Sequence, residues 1–308
     1  MSEKRAPPMR EYALLVLLSL LWGGSFTLIK VAVAGYPPAT LVAIRILFGG
    51  LLLAAIAFAQ GVQFPTSRRR WAELFLQGVL QSALPFTLIS WGEIHLPSGL
   101  AGVMNSTVPM FVFLISVFAL GAAPFVFRKF LGVVLGLAGV AAMAGLGSIA
   151  GAGGEVNVLA VLAVVGASVS YTCGALFGHR FDDQPAIVTA STSLLCGSLL
   201  MVPLSLYHDR PWTLTPSTDS TLAVAALALL STALASTIFF RLIKTLGSLA
   251  TTTNAYLRAI FSVFLGVVFL GEPLGWNMVA GTALILAGVA LVTRPARPAL
   301  QPVAAKGI

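Results

Sequence analysis

LAGVA occurs at Leu137 to Ala141 and again at Leu286 to Ala290, 149 positions apart in a chain of 308 residues. The same offset pairs Gly132 with Gly281, Trp22 with Tyr171 and Lys30 with His179. One more residue of offset pairs Leu120-Gly121 with Leu270-Gly271 and Ser98 with Ser248. PATLVAIRILFGGLLL from Pro38 likewise parallels PAIVTASTSLLCGSLL from Pro185. The two halves therefore read as repeats of about 150 residues, and a repeat governs how every later segment is interpreted. LAGVA closes each repeat, and its small residues suit close packing of helices.

Composition fixes the solvent. The chain is 58% hydrophobic and 9% charged, with a mean hydropathy of +0.96, whereas soluble domains carry about 25% charged residues. Stretches of about 20 apolar residues recur, each long enough to cross a hydrocarbon core as a helix. Turn signals and charges divide the chain into ten runs: 11–34, 37–59, 71–92, 98–120, 129–149, 156–178, 185–206, 219–241, 247–270 and 275–293. The fold class expected is an all-α membrane protein of ten transmembrane helices embedded in a lipid bilayer.

A net charge of +8 and a pI near 10.0 would point to nucleic acid in a soluble protein. Here the basic residues sit mostly in connectors, where they set topology, so no nucleic-acid partner is expected. Cys173 and Cys196 lie inside apolar runs and make no disulfide framework. His95, His179 and His208 lack metal-ligand spacing, so neither metal nor cofactor is expected. Lys4, Arg5 and Arg10 before an apolar run that ends in Ala32-Val-Ala34 imitate a signal peptide, but the run from Tyr12 to about Val33 is too long for one. It reads as the first membrane helix. The glycine cluster GLGSIAGAGG, Gly145 to Gly154, follows an apolar helix rather than a strand and reads as a connector, not a phosphate loop.

With a cytoplasmic N-terminus, the inside segments hold Lys4, Arg5, Arg10, Arg68 to Arg70, Arg128, Lys129, Arg180, Arg241, Lys244, Arg294, Arg297 and Lys306, and the outside ends keep Lys30 and Arg210. This asymmetry places both termini in the cytoplasm. Each repeat has an odd number of helices, so residues 1–153 and 154–308 form two five-helix repeats of inverted topology. Inverted repeats are a secondary-transporter architecture, with a site near the midplane between the halves and alternating access by their relative rocking.

WGGSF in the first helix followed by Lys30, PPATLVAIR at the start of the second, LGAAP in the first half against LGEPL in the second, and glycine-rich fifth and tenth helices carry a resemblance. In this order and doubling, over about residues 10–293, the chain resembles the drug/metabolite transporter superfamily, in its ten-helix exporter branch with paired EamA-type domains. Within that branch it is most similar to exporters of aromatic and other neutral amino acids, of the YddG type. The resemblance implies a multi-pass protein of the bacterial inner membrane. Two positions depart from the family pattern: Ala122 stands where many members carry glutamate, and the ninth helix reads NAYLRAIF, with Arg258 and Ala259 where members often have proline.

Polar groups on apolar helices locate the chemistry, because leaving them in lipid is costly. Thr251, Asn254, Arg258 and Ser262 share one face of the ninth helix; Ser98, Gly102, Asn105 and Pro109 form a stripe on the fourth; Gln77, Gln81 and Pro85 form one on the third. Interhelical hydrogen bonding explains most such Ser and Thr residues. Arg258 differs: a guanidinium near the bilayer centre marks function by default and its fork matches a carboxylate, although backbone carbonyls capping a structural arginine are the competing reading. Trp22, Phe86, Trp91, Tyr171, Phe240 and Tyr256 are candidates to stack on a substrate, against packing or an interfacial belt as the alternative. Gly23, Gly24 and Pro109 are candidate gating positions, the glycines serving equally as packing notches. Arg45 and Lys30, nearer the helix ends, read as snorkelling bases, with Glu93 and Glu272 placed to pair with them. No carboxylate sits in the middle of a helix, so an acidic proton relay is not visible and transport is expected to run down the substrate gradient.

The expected function is export of neutral or aromatic amino acids and related small-molecule metabolites by alternating access. A broad drug or cationic-dye exporter is the alternative, disfavoured by the missing central carboxylate. An intramembrane enzyme would need a nucleophile with its base or a metal cluster, and neither is legible. Gly132-x-x-x-Gly136 is compatible with a homodimer contact and equally with packing inside one chain.

Overall fold

The computed structural model describes residues 9–143, 157–246 and 254–293. Among these residues ten long helical runs follow one another, with a single 3-10 turn at Pro211–Thr213 between the seventh and eighth: α1 (Met9–Ala32), α2 (Pro38–Ala59), α3 (Arg68–His95), α4 (Ser98–Ala119), α5 (Phe127–Met143), α6 (Val158–Phe181), α7 (Ala186–Asp209), α8 (Thr218–Thr245), α9 (Asn254–Leu270) and α10 (Trp276–Thr293). No strand occurs among the described residues. Eight of the runs are long and apolar enough to cross a membrane, while α5 and α9 each have 17 described residues. The glycine cluster 145–154, Ser248 and Thr251 lie outside the described residues.

Local chemistry sets the helix ends. Pro38 opens α2, where a missing N–H costs nothing. Asn157 and Ser217 cap α6 and α8 by accepting from the backbone N–H groups of Ala160 and Ser220 at 3.1 and 3.2 Å. The repeated Leu-Gly closes α4 and α9 in the same way. Gly121 and Gly271 adopt φ of 59° and 64°, and the next amide donates back six residues, from Ala122 to Ser116 O at 2.8 Å and from Glu272 to Gly266 O at 3.1 Å. Only glycine enters that left-handed turn without strain.

The helices pack so that exchanging the halves maps many of the larger contacts onto others. α1 lies on α9 as α6 lies on α4; α1 lies on α8 as α6 lies on α3; α3 meets α7 as α8 meets α2. The pairs α2 with α7, α4 with α9 and α5 with α10 map onto themselves. The LAGVA glycines sit in the last of these. A Cβ on Gly139 would stand 2.7 Å from Gly281 O, and one on Gly281 would stand 2.8 Å from Gly139 O; Gly132 and Gly288 oppose each other likewise. Each half thus presents two glycines to the other's two. Gly136 packs against Met110 of the same chain, so the Gly132-x-x-x-Gly136 spacing is used inside the monomer.

One core runs between the halves, built from residues such as Ile29, Leu41, Met104, Leu227 and Ile285, with a satellite of Leu15, Leu18, Ile238 and Leu242 between α1 and α8. Large apolar side chains such as Phe48, Leu199, Leu222 and Phe264 are exposed on the outside, as expected for a bundle that is apolar all round and bathed in lipid.

Candidate functional site

Three of the helices, α4, α3 and α8, are irregular along their length. α4 breaks: Ser98–Asn105 is followed by a turn at Ser106 and Thr107 before Val108–Leu114. The cause is Pro109, which cannot donate to the carbonyl four residues back, that of Asn105. α3 widens to a π turn at Val79–Ala83, ahead of Pro85, and α8 widens over Leu227–Leu234, where Thr232 Oγ1 donates to Leu227 O at 2.9 Å. Such turns frequently mark functional positions, and irregular backbone at membrane depth is tolerated where protein surrounds it or water reaches it.

Arg258 lies where α9 crosses the break in α4. Its Nη2 donates to Asn105 O at 3.5 Å, the carbonyl that Pro109 leaves without an amide, while its Nε has no partner. The bond is long, so most of the fork's capacity is unused. Asn105 Nδ2 and Asn254 Oδ1, both buried, also lack partners. Ser106 Oγ donates to Ala255 O at 3.4 Å and ties the broken helix to α9.

A second guanidinium stands nearby. Arg45 is buried, donates from Nε to Thr232 Oγ1 at 3.0 Å and lies 3.9 Å over the Phe86 ring. The Phe86 and Tyr171 rings meet edge to face at 6.3 Å, and Tyr171 lies within electrostatic range of both Arg45 and Arg258. Gln81, on the widened turn of α3, faces Gly174 of α6 with its buried Oε1 unpaired. Arg258, Asn105, Asn254, Tyr171, Phe86 and Gln81 therefore share the central core or its edge. Neither Arg45 nor Arg258 has a carboxylate within ion-pair distance among the described residues.

Other candidates have partners of their own, Trp91 and Tyr256 at the edge of the same core. Trp22 donates from Nε1 to Ser231 O at 3.1 Å and packs on Phe239 of α8, in the satellite cluster, so its ring is committed to α8. Phe240 packs on Phe239. Trp91 packs against His95, and the Tyr256 hydroxyl bonds Thr293 of α10. Gly23 and Gly24 are notches: a Cβ on Gly23 would come within 2.7 Å of Phe261 Cβ, and one on Gly24 within 3.2 Å of Leu265. A crevice between α2 and α8, lined by residues including Tyr36, Phe48, Val224 and Leu229, is apolar and contains none of the candidates.

Sequence reasoning misjudged the bases and acids near the helix ends. Arg45 does not snorkel; α8 and α3 enclose it. Lys30 does not pair with an acid but donates to the backbone carbonyls of Glu93 and Leu96 at 2.5 and 2.9 Å, covering the end of α3 where cations are favoured. Glu272 accepts from the backbone amides of Ser98 and Gly99 at 2.5 and 3.0 Å, capping α4. Glu93 is buried with both carboxyl oxygens unpartnered. The available signal for Arg45 was its place seven residues inside an apolar helix, beyond easy reach of the helix start.

Comparison with known proteins agrees with this architecture. The chain is 30% identical over 313 residues to the uncharacterized transporter YvbV of Bacillus subtilis, covering 99% of this chain and 98% of that protein. It is 26% identical over 301 residues to the inner membrane transporter YedA of Escherichia coli K12, covering 95% of each. A probable terminal-alkyne amino-acid exporter of Streptantibioticus cattleyicolor is 26% identical over 282 residues, covering 91% of this chain and 92% of that one. A solved crystal structure shares the fold with a TM-score of 0.65 at 22% identity, covering 92% of this chain and 96% of that one. Residues 9–145 and 156–294 each match the EamA-like transporter family, so the chain is a multi-pass membrane transporter that belongs to this family and carries its domain twice.

Proposed function

We propose that the protein is a secondary transporter that exports neutral or aromatic amino acids and related carboxylate-bearing metabolites across the bacterial inner membrane by alternating access. Residues 1–153 and 154–308 form the two five-helix repeats, inverted with respect to each other, with ten crossings and both termini in the cytoplasm. The exchange symmetry of the helix contacts supports this reading, because a pseudo-two-fold between repeats is the basis of rocking.

The observation that carries the substrate class is the pair of guanidiniums. Arg258 and Arg45 stand between the halves without a carboxylate partner, and an unpaired charge in such surroundings is costly unless a ligand supplies its counterpart. Arg258 takes the substrate's carboxylate, Asn254 and Asn105 offer unpaired hydrogen-bonding atoms, and Phe86 and Tyr171 face an apolar or aromatic side chain. The probable amino-acid exporter among the relatives supports the same class. For the cationic-drug alternative, Glu93 is the acid without a hydrogen-bonding partner among the described buried residues, and Lys30 donates to its backbone carbonyl.

The test is counterflow in proteoliposomes. Vesicles loaded with unlabelled L-phenylalanine should accumulate labelled L-phenylalanine, Arg258→Ala should abolish the signal, and cationic dyes should not compete. Dye transport that survives Arg258→Ala would reject the reading.

A further inference from the structure

The break in α4 leaves its first segment, Ser98–Asn105, as a separate helical rod about 12 Å long, all of it buried. The second half holds this rod at both ends. At its start Glu272 accepts from the amides of Ser98 and Gly99 at 2.5 and 3.0 Å, and at its end Arg258 donates to Asn105 O at 3.5 Å. An acid on the amide end and a base on the carbonyl end both match the helix dipole. Between these points the rod lies flush on α9: a Cβ on Gly99 would stand 3.1 Å from Val263 Cα, and one on Gly102 would overlap the Ser262 side chain. Gly266 makes room for Glu272, since a Cβ there would overlap Oε2. The Leu-Gly turn that ends α9 aims the acid, with the Glu272 amide fixed on Gly266 O at 3.1 Å. The same turn at the end of α4 is followed by Ala122, which has no carboxylate to offer the start of α9. One end of the seam between α4 and α9 thus carries an acid clamp that the matching residue at the other end cannot supply.

We propose that Ser98–Asn105 is the outer gate of the transporter, clamped shut by Glu272 and Arg258, and that the substrate's carboxylate opens it by drawing Arg258 off Asn105 O. This rests on the carboxylate reading and the orientation proposed above, which put the Ser98 end of the rod outside and the Asn105 end at the substrate centre. A carboxylate offers the guanidinium fork two acceptors, against a single carbonyl at long range, so the substrate wins the competition. With Arg258 occupied, the rod is held by Glu272 alone and parts from α9 at lower cost. Without substrate both clamps hold, and the protein rests shut toward the outside, which suits an exporter that loads from the cytoplasm. Linkage requires the converse: releasing the Glu272 clamp frees the rod and makes Arg258 more available to a carboxylate. Glu272 is thus a positioning residue that acts on transport through the rod without touching the substrate.

The test reads the opening of the seam directly. Cys173→Ser and Cys196→Ser leave Ser262→Cys, on α9 against Gly102, as the sole thiol of the parent chain, and a membrane-impermeant maleimide is applied from outside to right-side-out vesicles. The parent should label slowly, and faster once L-phenylalanine is present. Glu272→Ala should raise the substrate-free rate on the order of tenfold, the change expected when hydrogen bonds to a charged group are lost, and Glu272→Gln should fall between. Arg258→Ala should also label faster and should not respond to phenylalanine. Asp209→Ala removes another acid that joins the halves, one bonded to the Thr40 amide and hydroxyl at 2.8 Å on α2, and should leave the parent's rate unchanged. A parental rate in Glu272→Ala, or an equal rise in Asp209→Ala, would overturn the gate. Detergent-purified Glu272→Ala should bind labelled phenylalanine at least as tightly as the parent; lost binding would make Glu272 a structural residue and overturn the proposal as well. If Glu272→Ala opens the seam while phenylalanine neither binds nor alters the parent's labelling, the clamp stands and the substrate reading falls. Phenylalanine that binds the parent without changing its labelling would uphold the substrate reading and overturn its link to the gate.

Discussion

α4 and α9 occupy equivalent places in the two halves and are built differently at one position. Both end in Leu-Gly with the same left-handed turn and the same back-donated amide, which aligns Pro109 with Ala259. Proline removes the amide that Asn105 O needs, so α4 breaks at Ser106 and Thr107; alanine keeps it, so α9 runs unbroken from Asn254 to Leu270. The intact helix then carries the arginine that reaches the carbonyl orphaned in the broken one. The two halves are thereby complementary at this position, with a backbone carbonyl lacking its helical amide on one side and a cation on the other. The remaining donors of that cation are what a substrate would use.

Making the halves alike should do the most damage. Ala259→Pro places a proline inside α9, at a cost of about 3 kcal/mol or more, and thermal unfolding in detergent should show a large loss of stability together with loss of transport. A variant as stable as wild type would mean that α9 tolerates the break as α4 does. Next comes Arg258→Ala, which should leave a folded, membrane-inserted chain but weaken apparent substrate affinity on the order of a hundredfold, the scale expected when one partner of a desolvated charge pair is removed. Arg258→Lys keeps the charge without the fork and should fall between the two. Binding isotherms check both.

The glycine contacts offer a more symmetric perturbation. Gly132→Leu and Gly281→Leu introduce side chains into equivalent notches between α5 and α10, and each should destabilise by about 1–3 kcal/mol, the usual range for overpacking. Thermal unfolding should rank them as equals, and a clear inequality would show that the two notches do not do the same job. Pro109→Ala should have the smallest effect. It returns an amide to Asn105 O, worth about 0.5–1.5 kcal/mol, while competing with Arg258 for that oxygen, so stability should change little and apparent affinity should shift modestly.

How much of this was legible depends on whether a feature is periodic or three-dimensional. The doubling at an offset of about 150 exposed the equivalence of LAGVA, Leu-Gly and the glycines of α5 and α10, because a repeat writes its packing into matching letters. Arg258 was legible because an ionisable residue inside an apolar run is conspicuous. Arg45 was not, since its enclosure depends on Thr232 in α8 and Phe86 in α3, both remote in sequence. Glu93 and Lys30 were misread as a surface pair, because distance from a helix end does not reveal that the lysine is spent on backbone carbonyls. Trp22 looked free to face a substrate until α8 placed Ser231 and Phe239 against its ring.

The claim at the centre of this account, that Arg258 recognises a carboxylate, is tested most directly by measuring L-phenylalanine against L-phenylalaninamide in proteoliposomes made with wild type and with Arg258→Ala. The two ligands differ by the charged group that the guanidinium is assigned to hold. Wild type should transport the amino acid in strong preference to the amide, and Arg258→Ala should lose that preference by losing the amino acid. An Arg258→Ala protein that keeps the wild-type preference would contradict the assignment.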